Sequence, residues 1–329
     1  PERRTIWAGG VSGGLWKTND ITVSRPTWEK VDDYLENLAV GALVQDANDP
    51  DVMFMGTGEG FPNADATAGV GIFRSLDNGV SWQLLPSTTN GNFRVTRKML
   101  VHPSGDVYAA ATRGLFRSKD RGETWEKVLG AGLRAVDNMY DIFYIAANDH
   151  IYVSTTNSIY KSQTGDPLDW EDLATPLNRF PRGFNRIEFT VSPTNPDIIY
   201  LVASDGGSGT NVYKTTDGSE TWQEMAEVRP EGDFTNGQAW YDLEIAVDPF
   251  NPEHVIVGGV PIYRSTDGAA SFERFAFNMH VDQHLTVFDE EEEGVIYFGN
   301  DGGVHRSVNG SASSVPNKNS GYNILRFSS

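Results

Sequence analysis

Short apolar runs alternate with turn sequences along the whole chain, and no helical periodicity of useful length interrupts them. One unit of this pattern consists of AVGALVQD, VMFMGTG, GIFRSL and SWQLLP, which occupy positions 39–46, 52–58, 71–76 and 81–86. Runs of this length that are rich in β-branched and aromatic residues, with Asn, Asp, Pro and Gly between them, are typical of β-strands. The pattern predicts four short antiparallel strands per unit.

The unit recurs along the chain. Its last strand begins near an aromatic residue at positions 28, 82, 125, 170, 222 and 272, so the spacing is 54, 43, 45, 52 and 50 residues. A seventh copy at 304–314 lacks the aromatic residue and has Asn309 where the other copies have aspartate. Four antiparallel strands at this period form a propeller blade. We therefore predict an all-β, seven-bladed β-propeller with four antiparallel strands per blade, which forms a single domain over residues 1–329.

The two ends of the sequence predict how the ring closes. TIWAGG at 5–10 reads as a second strand with no first strand before it, whereas YNILRFS at 322–328 reads as a first strand. We expect this C-terminal strand to join the N-terminal blade. The alternative is that it opens a further blade of a longer, multidomain chain.

Composition narrows the class of protein. The hydrophobic content is 39%, the mean hydropathy is -0.40 and no run of 18 apolar residues occurs, so we expect no membrane insertion. The formal net charge of -19 repels phosphate backbones, which argues against a nucleic-acid partner and favours cations such as Ca²⁺. The chain has no cysteine, so disulfides and thiolate chemistry are excluded.

A turn motif of the form S/T-x-D-x-G-x-x-W precedes the last strand of each unit, and Ser75, Asp77, Gly79 and Trp82 form one of the best copies. An aspartate in a tight turn accepts backbone N–H bonds, and glycine supplies a positive φ. The aromatic residue is expected to pack against its own sheet. The fourth copy, at 159–170, contains an insertion. We interpret the motif as structural.

This motif resembles the Asp-box of bacterial neuraminidase-type (BNR) repeat propellers, and the resemblance covers nearly the whole chain. The overall pattern is similar to exported Bacteroidetes-type proteins of the xyloglucanase-like or sortilin-like glycosyl hydrolase groups. The resemblance implies a location outside the cell or at the surface of a bacterium, and a glycan or protein ligand. It does not imply sialidase activity, which needs three clustered arginines and a tyrosine nucleophile.

The first chemical candidate is NMHVDQHLTVF at 278–288. His280, Asp282 and His284 are spaced at i, i+2 and i+4, so on a strand all three would point to one side. Imidazole and carboxylate groups are suitable ligands for Zn²⁺ or another divalent metal. The alternative is that these groups satisfy one another in a polar channel lining.

The second candidate is GQAWYDLEIAVD at 237–248, which enters the inner strand of the preceding blade. Trp240 or Tyr241 is expected to stack on a sugar ring, and Asp242 to act as a general base or as a fourth metal ligand. The alternative is an aromatic plug at the channel rim.

Glycine-rich links between second and third strands provide the third candidate, because they place carboxylates on the face opposite the turn motif: Glu59, Asp65, Asp205 and Asp301. NDGGVHRS at 300–307 resembles the Asp-Gly-Gly loop of two-propeller xyloglucan-cleaving glycoside hydrolases, which implies a catalytic role for Asp301. Such enzymes need a second carboxylate across a cleft. The acidic run DEEEEG at 289–294 is interpreted as a solvated turn, with a weak Ca²⁺ contact as the alternative.

Three functions remain open at this point. The first is a non-catalytic module that binds a glycan or a protein at the mouth of the channel. The second is a glycoside hydrolase of the xyloglucanase-like type, and the third is a metal-dependent enzyme centred on the His-x-Asp-x-His stretch.

Overall fold

The computed structural model describes residues 4–32, 34–61, 66–130, 138–175, 178–206, 209–229, 232–308, 310 and 316–319. Seven separate antiparallel sheets follow one another along the chain, so the predicted seven-bladed propeller is confirmed. The described residues contain no α-helix, and therefore no helix that could span a membrane.

The strands of the first four sheets have the following bounds: β1 (Ile6–Gly10), β2 (Gly14–Thr18) and β3 (Glu29–Lys30); β4 (Val40–Gln45), β5 (Met53–Thr57), β6 (Ile72–Ser75) and β7 (Gln83–Leu84); β8 (Thr96–Val101), β9 (Val107–Ala111), β10 (Gly114–Ser118) and β11 (Glu126–Leu129); β12 (Met139–Ile145), β13 (His150–Thr155), β14 (Ile159–Ser162) and β15 (Glu171–Asp172). Two single-turn 3₁₀ helices, Pro86–Thr88 and Gly91–Phe93, connect sheets 2 and 3.

The strands of the last three sheets are β16 (Arg186–Val191), β17 (Ile199–Ser204), β18 (Thr210–Thr215) and β19 (Gln223–Glu224); β20 (Glu244–Val247), β21 (Val255–Gly258), β22 (Ile262–Ser265) and β23 (Glu273–Phe275); and β24 (Gln283–Phe288), β25 (Ile296–Asn300) and β26 (Gly303–Ser307). Among the described residues this last sheet has three strands, and beside β26 the segment 316–319 makes an isolated antiparallel bridge between His305 and Asn317. The predicted closing strand at 322–328 lies outside the described residues.

Apolar cores lie between neighbouring sheets. Phe54 of sheet 2 packs with Met99 of sheet 3, and Ile256 of sheet 6 packs with Phe288 of sheet 7. In the middle strands both faces are buried, as in β9, where every residue is buried. A strand enclosed on both faces is apolar throughout, which is why these runs lack strict alternation.

The turn motif is structural, as its residue types predict. The Ser75 hydroxyl accepts from the Gly79 N–H at 2.8 Å, and Asp77 Oδ1 accepts from the Ser81 N–H at 2.8 Å. Hydrogen bonds from the Ser81 hydroxyl, which is the largest cause, from the Ser81 N–H and from the Ser75 hydroxyl lower the pKa of Asp77 to about 2. Copy four reaches the same result differently, because the insertion lets Asp169 accept from Ser162 and from two backbone N–H groups.

One expectation about this motif is incomplete. Its aromatic ring packs against its own sheet, as expected, but also against the preceding sheet, because it lies at the junction between the two. Trp82 belongs to the cluster of sheets 1 and 2, and Trp125 to that of sheets 2 and 3. The ring joins blades because the turn lies at their outer edge, next to the neighbouring strand. Asn309 of the seventh copy lies outside the described residues.

Candidate functional site

The first strand of each sheet lies innermost, and its side chains line a polar channel. Lys98 Nζ of β8 lies 3.7 Å from Asp141 Oδ1 of β12, and Thr286 of β24 donates to Glu244 of β20 at 2.5 Å. Burial raises the pKa of Glu244 to about 7. The charge of Asp141, with smaller contributions from Glu188 and Glu244, raises the pKa of Lys98.

At the mouth of this channel, one carboxylate receives two hydrogen bonds. Asp301 Oδ1 accepts from the Tyr241 hydroxyl at 3.0 Å and from His284 Nε2 at 2.8 Å. The rings of Tyr241 and His284 meet edge to face, with centroids 4.6 Å apart. Asp301 comes from the turn between β25 and β26, so three separate segments of the chain meet at one oxygen. We call Tyr241, His284 and Asp301 the mouth triad.

Aromatic rings extend from the mouth triad. Trp240, whose surface is 44% exposed, lies with its ring centroid 5.5 Å from that of Tyr241, and Phe61 lies 5.7 Å away on another side. Burial and the Asp301 carboxylate both raise the pKa of Tyr241. The result is a partly exposed aromatic surface next to a fixed carboxylate.

Arg186 holds the loop that carries these aromatics. Its guanidinium donates to the carbonyls of Ala239, Tyr241 and Leu243 at 3.0 to 3.1 Å, and to Glu188 at 2.8 Å. It also lies over the Phe61 ring at 4.7 Å. Because the guanidinium makes these contacts within the chain, Arg186 is a positioning residue. Sequence reasoning did not single out Arg186, because its carbonyl partners lie more than 50 residues further along the chain.

A second arginine plays the same part on the other side of the mouth. Arg97 donates to the carbonyls of Gly60 and Met139 and lies over the Tyr140 ring at 4.4 Å. Neither Arg97 nor Arg186 is free to hold a substrate carboxylate, which agrees with the argument against sialidase chemistry.

The structure places Asp242 before the inner strand, not at its entry as the sequence predicted. Both Tyr241 and Asp242 lie in a turn closed by bonds to the Gln238 carbonyl, because β20 begins only at Glu244. Asp242 is 0% exposed, and neither carboxylate oxygen has a hydrogen-bond partner among the described residues. Burial raises its pKa to about 8, and the nearby Asp282 adds to the shift. A buried, protonated carboxyl is a poor general base for a ligand in the channel mouth.

The prediction that His280, Asp282 and His284 lie on one strand is wrong. β24 begins at Gln283, Asp282 has a left-handed φ of 63°, and the pairing with β25 shifts between Gln283 and Leu285. The shift is a bulge that re-aims His284 towards Asp301. His280 is exposed and contacts the Val281 carbonyl.

The candidate metal site is therefore not assembled as expected. Within the ranges the structure describes, no group of three or more His, Asp or Glu side chains is placed to hold a metal ion. Zn²⁺ or Ca²⁺ binding stays a prediction that this geometry does not support. In the acidic run, Asp289 accepts from the Glu291 and Glu292 N–H groups, as a turn residue does.

The remaining candidates are not part of the mouth triad. Glu59 accepts from the Thr67 N–H within its own loop, although its charge still acts on Tyr241. Asp205 accepts from the Gly209 N–H in its own turn and is exposed. Asp65 lies outside the described residues. The triad thus unites Asp301, Tyr241 and His284, which the sequence had assigned to three different roles.

The fold is a β-propeller with a polar and aromatic site at the mouth of its channel. Residues 64–305 match the model of the DUF6242 beta propeller domain, and the chain belongs to this family.

An individual relative of this chain is more distant. A probable oligoxyloglucan-reducing end-specific xyloglucanase of Neosartorya fischeri is 22% identical over 316 residues, which cover 82% of this chain and 36% of that protein. The chain thus spans about a third of the length of this curated relative.

Solved structures show the same fold. The structure titled YCF48 bound to D1 peptide has a TM-score of 0.63 at 16% identity, covering 93% of this chain and 90% of that one. An ancestral GH74 enzyme has a TM-score of 0.60 at 15% identity, covering 92% of this chain and 51% of that one. At this level of identity the likeness concerns the fold alone.

Proposed function

We propose that this propeller is a binding module that holds a carbohydrate chain at the channel mouth. The observation that carries the proposal is the Asp301 carboxylate, which Tyr241 and His284 fix in orientation beside the exposed indole of Trp240. Sugar rings present C–H faces that pack on aromatic rings, and hydroxyls that donate to carboxylates. A site with one aromatic surface and one oriented acceptor suits such a ligand.

The placement of the other carboxyls supports binding without cleavage. Hydrolysis of a glycosidic bond uses two carboxyl groups that both reach the scissile bond. The carboxyls closest to this role are Asp282 and Asp242, and Asp242 is fully buried. Asp282 adopts a strained backbone conformation that is tied to the Val260 carbonyl through its N–H at 2.9 Å. The Asp301 N–H donates to the Asp282 carbonyl at 3.4 Å, so these two residues lie next to each other, whereas a hydrolytic pair flanks the scissile bond.

Glycoside hydrolysis is the second candidate function, and the curated relative favours it. In that case Asp301 would be one catalytic carboxylate, and the second would come from a partner domain, since the chain spans only 36% of that relative. A protein segment is the alternative ligand for the binding module. From the resemblance of the sequence to exported propellers, we also propose that the protein is located outside the cell or at its surface.

The test is calorimetric titration with xyloglucan oligosaccharides, combined with an assay for released reducing ends. We expect heat of binding without release, and Trp240→Ala should weaken binding about tenfold, as loss of one stacking surface does. Tyr34→Ala is the matched control, because Tyr34 is an exposed aromatic residue in the link between β3 and β4 and is not part of the triad.

The other possible outcomes would support a different function or contradict the proposal. Release that Asp301→Asn abolishes would support the hydrolase, and activity lost with a chelator and with His280→Ala would support the metal-dependent enzyme. If no oligosaccharide binds, or if Trp240→Ala binds as well as the parent, the carbohydrate proposal is wrong.

A further inference from the structure

Phe61 extends across the mouth of the channel. It follows β5 of sheet 2, yet its ring contacts Arg186 of sheet 5 and Tyr241 of the link to sheet 6. The Arg186 guanidinium lies 4.7 Å from the centroid of the Phe61 ring, and the Tyr241 ring centroid lies 5.7 Å away. In a ring of seven sheets, the fifth and sixth lie farthest from the second. A residue of sheet 2 reaches both of them only by extending over the channel opening.

The residues before Phe61 are held by hydrogen bonds of their backbone. The Gly58 N–H donates to the Ala39 carbonyl at 3.0 Å. The Gly60 carbonyl accepts two hydrogen bonds from the Arg97 guanidinium of β8, at 3.0 Å from Nε and at 2.5 Å from Nη2. The position of Phe61 over the mouth is therefore fixed by the chain that precedes it as well as by its own ring.

Two glycines permit this course of the chain. Gly58 has a left-handed φ of 99°, and an added Cβ there would lie 2.2 Å from the Arg94 carbonyl oxygen. At Gly60 an added Cβ would lie 3.0 Å from Arg97 Nε, which is a tight contact. Larger residues at these positions would push the segment away from sheet 3, and Phe61 would move with it.

The contact with Arg186 explains why an aromatic ring occupies position 61. The Arg186 guanidinium is buried and directs its N–H groups, which lie in its plane, at Glu188 and at the carbonyls of the link that carries Tyr241. Its two faces are left for stacking, and aromatic rings suit a guanidinium face. Phe61 lies over this cation, and the Tyr140 ring also lies near it, at 5.9 Å.

The polar wall of the channel begins just inside this point. On β24, Thr286 comes two residues after His284 and donates to Glu244 of β20, so it lies further along the channel than the mouth triad. Phe61 itself is only half-buried. One part of its ring therefore packs on the mouth, and another part is accessible to solvent.

We propose that Phe61 closes the channel at its mouth and forms part of the surface that contacts the ligand, so that the ligand binds across the ring of sheets and does not enter the channel. The closure follows from the contacts with Arg186 and Tyr241, whereas the contact with a carbohydrate rests on the proposed function.

Chain length is the property of the ligand that Phe61 would select. Phe61, Tyr241 and Trp240 form a series of three rings, with 5.7 and 5.5 Å between neighbouring centroids. A chain of several sugars can pack on both Trp240 and Phe61, whereas a single sugar unit contacts only one end of the series. Longer oligosaccharides should therefore bind more tightly than short ones.

Thiol labelling tests the closure without any ligand. Because the chain has no cysteine, Thr286→Cys places a single thiol in the channel wall. Its rate of reaction with a maleimide reagent is measured with Phe61 present and after Phe61→Ala. We expect Phe61→Ala to raise the rate about tenfold, since reaction of a buried thiol depends on access. Phe61→Tyr keeps the ring and should leave the rate close to that with Phe61.

Phe277→Ala is the matched control for the labelling. Phe277 is also a phenylalanine that lies over an arginine, at 4.9 Å from Arg274, but it is 73% exposed in the link between β23 and β24. Its replacement should leave the rate unchanged. Equal rates with Phe61 and with Phe61→Ala would overturn the closure. If Phe61→Ala does not fold, Phe61→Leu takes its place, and an unchanged rate in that variant would count equally against the closure.

Calorimetric titration with xyloglucan oligosaccharides of increasing length tests the contact with the ligand. We expect Phe61→Ala to weaken binding of the longest oligosaccharide about tenfold and to affect the shortest less. Unchanged binding in Phe61→Ala, or an equal loss in Phe277→Ala, would overturn the contact. If no oligosaccharide binds the parent protein, the proposed carbohydrate function is wrong, and the labelling rates still decide whether Phe61 closes the channel.

Discussion

His284 Nε2 lies 2.8 Å from Asp301 Oδ1, and this contact joins the start of β24 to the turn that follows β25. The Tyr241 hydroxyl reaches the same oxygen from sheet 6. Both donors therefore fix one carboxylate across two sheets, and the mouth of the channel depends on that oxygen for its shape.

Replacing this carboxylate should loosen the mouth. We predict that Asp301→Asn lowers the free energy of unfolding by about 1–3 kcal/mol, because hydrogen bonds to a charged acceptor are stronger than those to an amide. Denaturant unfolding measures the change. Asp205→Asn, at an exposed turn on the same face, should stay within about 0.5 kcal/mol. Equal losses in both variants would show that the triad contributes no special stability.

Asp242 should make the protein less stable as pH rises. Its pKa is about 8 in the folded chain against an ordinary value of 3.8, so between these values the folded state keeps a proton that the unfolded state has lost. The free energy of unfolding therefore falls from about pH 4 to about pH 8.

The isosteric amide removes this dependence. Asp242→Asn should unfold like the parent near pH 4 and should be more stable by about 2 kcal/mol or more at pH 8. Thermal unfolding across this pH range measures the difference. Glu244, whose pKa burial raises to about 7, contributes a slope of the same sign that remains in the variant. A variant whose curve runs parallel to the parent's would contradict the assignment.

The hydrogen bonds of Arg186 to the loop that carries Tyr241 should contribute more to stability than its positive charge does. We predict that Arg186→Lys costs about 2–4 kcal/mol of stability, because one ammonium cannot reach Glu188 and three carbonyls together. It should also weaken binding at the mouth, since Tyr241 loses its anchor. Calorimetric titration measures the change in binding, and denaturant unfolding measures the change in stability. Arg274→Lys, which changes an exposed arginine over Phe277, is the control and should be nearly silent.

Because of the turn motif, the stability of the propeller should fall at acidic pH. Because the pKa of Asp77 is lowered to about 2, its contribution to stability is complete above its ordinary value of 3.8 and is lost as pH falls towards 2. Ser75→Ala should cost about 1–2 kcal/mol at neutral pH, since the buried Gly79 N–H loses its acceptor. Ser104→Ala, in an exposed turn, serves as the comparison in the same unfolding assay.

Much of the architecture was predictable because the residues that repeat along the chain interact with partners close to them in the sequence. Each turn needs its own serine, aspartate and glycine within a few residues, as Ser75, Asp77 and Gly79 show, so the spacing of the motif counts the blades directly. Asp301, Tyr241 and His284 were also recognisable as polar or aromatic residues next to inner strands.

Their partnership was not predictable, because it depends on a bulge and on contacts between sheets. His284 reaches Asp301 only because the pairing of β24 shifts by one residue, and period-two alternation alone placed His280 and Asp282 beside it. The roles of Arg186 and of buried Asp242 likewise depend on neighbours 50 or more residues away or on a backbone turn.

By itself, the sequence determined the number of sheets, the four-strand pattern of most of them and the structural use of the repeated aspartate, since these follow from contacts within a few residues. Only the tertiary structure decided which side chains meet at the channel mouth and which carboxyl is excluded from water. Those properties arise from distances between segments that the local pattern does not encode.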